Sequence, residues 1–239
     1  MDFKGKGVLI DDLDLPRIGA QIGVGEDEIH VVLEVEASGS GFDSHGRLKM
    51  LFEPHIFYRN LPARLQSGAE HEGLAYRSWR PGAYPADSYP RLQMALTIDE
   101  TAALKSASWG LGQILGENFW AAGYASVQEM IVSFCADEAN QLQAMVNFIR
   151  YNKLDGALRR HDWAGFARGY NGPNYARNGY DHKLAAAFAR WQRIKDTPYP
   201  PTSVPPAQHP VQVAPVPKMP QDVKPTKWKD FWAHPNIVK

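Results

Sequence analysis

Ile29, Val32, Leu33 and Glu36 recur at the spacing of one helix face, so a carboxylate stands in line with residues that should face a core. Burying that charge is costly, and it should not sit there without a reason. Glu34, two positions earlier, points elsewhere and can stay in water. Gly39 and Gly41 then stop the helix and let the chain come close around the carboxylate. A partly desolvated glutamate binds its proton more tightly, which suits a general acid. The competing reading is a glutamate whose stem merely lines a core edge.

Helical stripes recur along the chain, which predicts a mainly α domain over residues 1–196. A short helix is expected to begin at Asp12–Leu15, and the Glu36 helix runs from about Asp27. Residues 43–62 are mixed. Met50–Phe52 and Ile56–Tyr58 are short apolar runs that fit strand or helix. Residues 69–90, rich in Gly, Pro, Ser and Tyr, read as one long ordered loop of the kind that binds ligands. Thr97–Glu100 and Ser126–Glu129 have the capping-box pattern, predicting helices from Ile98 to about Ser106 and from Val127. Further stripes are Leu142, Met145, Val146 and Ile149, then Trp163, Phe166 and Tyr170, then Leu184, Phe188 and Trp191 from about Asp181. All of these read as core.

From Thr197 prolines recur every few residues, predicting an extended or disordered linker over 197–226. Residues 227–239 are aromatic and basic. That composition suits a membrane surface, a cell envelope or another chain, and equally a segment that folds back on the domain.

Lys plus Arg and Asp plus Glu both number 26 in 239 residues, so no global basic field points to nucleic acid. Cys135 is the single cysteine. It excludes a disulfide framework and a cysteine zinc site, and its setting near Ile131, Phe134 and Glu138 predicts a packed, inert thiol. The apolar run Val8–Ile10 is too short for a signal segment, and no stretch is long enough to span a bilayer. The expectation is synthesis in a cytoplasm, with a separate membrane-opening partner if the protein acts outside.

Glu53 is the second carboxylate of interest, set among bulky apolar residues in Leu51-Phe52-Glu53-Pro54-His55. Two carboxylates in different environments can divide acid and base labour, as glycosidases do. His55 suits orienting Glu53, contacting a sugar, or a structural role. Ser106–Ile114, with Ser108, two glycines and Gln113, reads as a serine-rich turn suited to a polar substrate. Tyr170-Asn171-Gly172 ends a helix with a ring and an amide, which pyranoses and N-acetyl groups ask for.

These four pieces in this order resemble the N-acetylmuramidase family found in phage endolysins, a branch of the lysozyme-like superfamily. The matching segments are Val35–Phe42, Gly46-Arg47, Leu51–Tyr58, Ala107–Ile114 and Tyr170–Pro173, with Asn118-Phe119 and Asp162-Trp163. The resemblance spans about 12–195. It implies a lysozyme-like α+β fold, helical around a substrate cleft with a small β element. It also implies hydrolysis of the β-1,4 bond from N-acetylmuramic acid to N-acetylglucosamine in peptidoglycan. No metal or cofactor is expected to be needed, and the protein is expected to be a monomer. Carried over, Glu36 is the catalytic acid and Glu53 a second acidic cleft position. Ser108, Gln113, Tyr170 and Asn171 are substrate positions, joined by His55 and Tyr58. Ala37 and Pro54 depart from the family, where a serine and a basic residue are common. Many relatives carry a separate wall-binding module; with few residues before Glu36, the catalytic domain is expected to hold the wall by its own surface. The other classes that fit are a lytic transglycosylase forming anhydro ends, a non-catalytic wall-binding or virion structural protein, and an effector toxin of the same fold.

Overall fold

The computed structural model describes residues 2–199 except Ser38 and Ala83. The expected 227–239 segment and the linker from Pro200 onward lie outside the described residues. The fold is mainly helical, in the order α1 (Asp14–Gly19), α2 (Glu26–Glu36), β1 (Met50–Phe52), α3 (Pro54–Asn60), α4 (Ala63–His71), α5 (Tyr89–Ile98) and α6 (Glu100–Lys105). There follow β2 (Ala107–Trp109), β3 (Ile114–Leu115), α7 (Val127–Ala136), α8 (Glu138–Tyr151), α9 (Asp155–Arg159), α10 (Trp163–Asn171) and α11 (Tyr180–Trp191). The three strands form one antiparallel sheet, with Leu51 opposite Ser108 and Ser108 opposite Leu115.

The helix carrying Glu36 is clasped by α11. Ile29 and Val32 on α2 and Leu184 on α11 are buried, and Phe188 and Trp191 pack against that core. His30 and Trp191 stack with ring centroids 3.7 Å apart, and the Trp191 indole donates to Glu34 Oε2 at 2.8 Å. Glu34 therefore stays on the outer face, as the periodicity requires. Thr197 N donates to Glu26 Oε2 at 2.6 Å, tying the end of the described chain back to the start of α2.

α8 runs through the core, with Leu142, Met145, Val146 and Ile149 buried. The N-terminal arm is also part of the domain. Phe3 is 1% exposed and stacks on Trp109, and Gly7 and Val8 donate to the Cys135 and Ala136 carbonyls at 3.2 and 3.1 Å. This arm covers Cys135, whose thiol is pushed up to about 11 by burial and then by Asp2. Glu138 begins α8 rather than sharing the helix of Cys135, because Asp137 breaks the helix and caps the next one.

Several boundaries differ from those expected. Met50–Phe52 is strand, and Ile56–Tyr58 is helix, begun by Pro54 at its first position. The loop is confined to 72–88: α4 occupies its expected start, and α5 begins at Tyr89. The helix after Thr97 starts at Glu100, because Asp99 accepts from Ala102 N at 2.9 Å and takes the cap. Ser126 does cap α7, accepting from Glu129 N at 3.0 Å. The expected serine-rich turn is a hairpin, β2 and β3 around Gly110–Gln113.

Candidate active site

Glu36 is the last residue of α2 and is 1% exposed. The chain leaves the helix there because Ala37 turns extended, at φ −95° and ψ 142°. Asn171, the last residue of α10, donates its Nδ2 to Glu36 Oε2 at 2.9 Å. Tyr170 and Tyr180 face the same carboxylate. Both phenols are raised first by burial and then by the Glu36 charge, Tyr180 to about 12. Glu36 is thus enclosed by the end of α10 and the start of α11. Asn171 is 2% exposed, and its Oδ1 accepts no hydrogen bond from the described residues. A buried acceptor left unpaired costs about 1–3 kcal/mol, and such atoms call for an explanation.

Glu53 stands at the junction of β1 and α3, 1% exposed. Its backbone is fixed from both sides: its N–H donates to Ser106 O at 2.9 Å, and its carbonyl accepts from Ile56 and Phe57. Tyr84 donates its hydroxyl to Glu53 Oε2 at 2.5 Å, and His55 Nδ1 lies 3.5 Å from the same oxygen. Burial raises the Glu53 carboxyl to about 7, against the lowering effect of the Tyr84 hydrogen bond.

Ser108 stands opposite Leu51, on the strand paired with the one that leads into Glu53. It is 1% exposed in the middle strand, and its hydroxyl has no partner among the described residues. Ser108 Oγ and Asn171 Oδ1 are therefore among the buried polar atoms that the described residues leave without a hydrogen-bond partner. Gln113 and Tyr58 are engaged within their own surroundings. Gln113 Nε2 donates to Gly110 O at 2.9 Å, and the Arg77 guanidinium lies 5.8 Å from the Tyr58 ring centroid.

Two residues to which the sequence assigned no part in the site hold it from beneath, both on α8. Glu138, 3% exposed, accepts from Ser40 Oγ and Gly41 N at 2.6 Å each and from Ile10 N at 3.1 Å. Gln141, fully buried, accepts from Leu111 N at 2.6 Å and donates to Phe134 O at 2.9 Å. The chain after Glu36 and the turn after Ser108 are thus docked on one helix. Gly41 makes this possible: a Cβ there would lie 1.9 Å from Gln141 Oε1. The close approach at Gly41 is to Gln141. Because Gln141 is held at both ends, Gly41→Ala should destabilise by about 1–3 kcal/mol. Urea unfolding measures this, and an unchanged midpoint would show that Gln141 can give way.

Among the described residues no group of three or more His, Cys, Asp or Glu is placed to hold a metal ion. No helix among them is long and apolar enough to cross a membrane.

The chain is similar to the crystal structure of the Burkholderia AP3 phage endolysin, with a TM-score of 0.72 and 39% identity over 77% of this chain and 72% of that one. No curated protein matches. The sequence profile of the N-acetylmuramidase family matches residues 26–192, a span that contains Glu36, Glu53, Ser108 and Asn171. With most of its folded length matched, and Glu36 and Glu53 inside the match, the chain belongs to the N-acetylmuramidase family, glycoside hydrolases of the lysozyme type.

Proposed function

We propose that the protein is a peptidoglycan hydrolase of the endolysin type. It cleaves the β-1,4 bond between N-acetylmuramic acid and N-acetylglucosamine, with Glu36 as general acid. The observation that carries this reading is the pairing of a buried carboxyl at the end of α2 with the Asn171 amide, whose Oδ1 is left to accept from a ligand. An N-acetyl group presents an N–H of the kind that oxygen lacks. The family match and the endolysin neighbour support the substrate class.

Glu36 gives its proton to the glycosidic oxygen as the bond from the muramic acid C1 breaks. Positive charge develops on that ring, and Glu53 stabilises it, directly or by taking a proton from the water that adds to C1. Where Glu53 has taken the water's proton, exchange through solvent returns it to Glu36; where Glu53 acts by charge alone, the Glu36 carboxylate takes the water's proton itself, and either route closes the cycle. Burial makes both carboxyls sensitive to whether they carry charge, the usual means by which one site runs acid and base chemistry together. A second assignment has the burial of Glu53 in its favour: with its carboxyl raised to about 7, a protonated Glu53 is within reach near neutral pH and can itself serve as donor.

Muropeptide mass spectrometry on digested, purified peptidoglycan tests the reaction. Reducing muramic acid ends are the expected product. Anhydro ends would make the protein a transglycosylase, and no product would make it a wall-binding protein. The same experiment on chains with and without residues 197–239 tests whether the proposed catalytic domain, 1–196, is sufficient.

A further inference from the structure

The loop 72–88 is anchored at both ends beside Glu53. At its start Tyr76 N donates to Pro54 O at 3.1 Å, and Leu74 and Ala75 are buried. At its end Asp87 pairs with Arg47 at 3.3 Å and accepts from Tyr89 N at 3.0 Å. The Arg47 guanidinium lies 4.2 Å from the Tyr89 ring centroid, and the Tyr89 hydroxyl donates to the Leu48 carbonyl. Between these anchors the loop sends one hydroxyl inward, that of Tyr84, onto Glu53 Oε2.

A carboxylate on a residue only 1% exposed can keep its charge only if something donates to it. We propose that Tyr84 is a positioning residue for Glu53, whose hydroxyl holds that carboxylate ionised and aimed while the loop stays docked. This rests on the reading of Glu53 as the charge-stabilising carboxylate.

Tyr84 suits this task over the whole working range. Its own ionisation is pushed far upward, first by burial and then by Glu53, so the phenol remains a donor. The other groups at the site are His55 from α3, facing the same oxygen, and Trp79 and Arg91, which act on Tyr84. Ser106 meets Glu53 through its backbone carbonyl.

The test is Tyr84→Phe, which keeps the ring and removes only the hydroxyl. The Glu53 carboxyl is titrated by carbon-13 NMR, and kcat/KM is measured from pH 5 to 9 in the wild type, Tyr84→Phe, Glu53→Gln and His55→Gln. The expected result is an acid limb near 7 that moves up by about one unit in Tyr84→Phe. Activity then falls about tenfold below pH 7 and recovers at pH 9. His55→Gln should keep the limb near 7, and loss of the limb in that variant would assign it to the imidazole and overturn the inference. A uniform loss at every pH, or a carboxyl that titrates unchanged in Tyr84→Phe, would overturn the inference. If Glu53→Gln leaves the wild-type profile intact, the role given to Glu53 itself fails, and the inference with it.

Discussion

Glu36→Gln should lower the rate of reducing-end release from peptidoglycan by about 10²–10⁴, the usual contribution of positioned acid–base catalysis, while the protein stays folded. Glutamine has the shape of the protonated acid. Its Oε1 can still accept from Asn171 Nδ2, the contact that holds the side chain at 2.9 Å. Nothing in the packing of α2 against α11 changes, so the melting temperature should stay within a few degrees of wild type. What disappears is the proton for the leaving oxygen. Activity near the wild-type level in a folded Glu36→Gln protein would remove Glu36 from the role of acid. Loss of activity with loss of fold would instead show that the buried site, 1% exposed, is structural.

The helical part of the fold was legible where apolar spacing is long and caps are unambiguous. Val127–Ala136 begins after Ser126 as its pattern requires, and Leu142 to Ile149 face inward on α8. Glu36 was legible for a physical reason: a carboxylate on a core stripe advertises its own desolvation. The same argument applies to Glu138, three and four residues before Gln141 and Leu142 on α8, and it exposes another buried carboxylate with a different job. Glu138 holds the chain after Glu36 through Ser40 and Gly41. Spacing shows that a charge is buried and leaves open whether it meets a substrate or a backbone.

Other parts left no periodic trace. The sheet has strands of two or three residues, too short for alternation to register, and its existence depends on pairing between distant segments. Asp99 displaced Thr97 as a cap because both residues have cap chemistry and only the packing of α5 against α6 decides between them. Tyr84 lies in a loop whose residue order carries no period. Its meaning comes from where Pro54, Arg47 and Leu48 anchor the loop, all distant choices.

Glu53→Gln should show opposite effects on activity and on stability, with the stability effect confined to high pH. The unfolded chain's carboxyl titrates at its ordinary 4.5, and the folded one at about 7. Between those values the native state keeps a proton that the unfolded state has released. The stability from this group is therefore full below 4.5 and is lost as pH rises through 7. Above 7 the fold carries an ionised carboxylate it would be more stable without, at a cost of roughly 3 kcal/mol as an upper bound. Glutamine has no charge to bury and can still accept from Tyr84. Urea unfolding of Glu53→Gln against wild type should thus show little difference at pH 4 and a gain of about 1–3 kcal/mol at pH 8.5. Activity at pH 8.5 should fall by about 10² or more, because the charge that opposes folding is the one the developing cation uses. The pH profile then separates the two assignments. A stabilising carboxylate gives an acid limb near 7 that the substitution removes; a proton donor gives a basic limb there. An equal stability difference at both pH values would show that Glu53 does not titrate between them in the folded protein, and would sink the account of its burial.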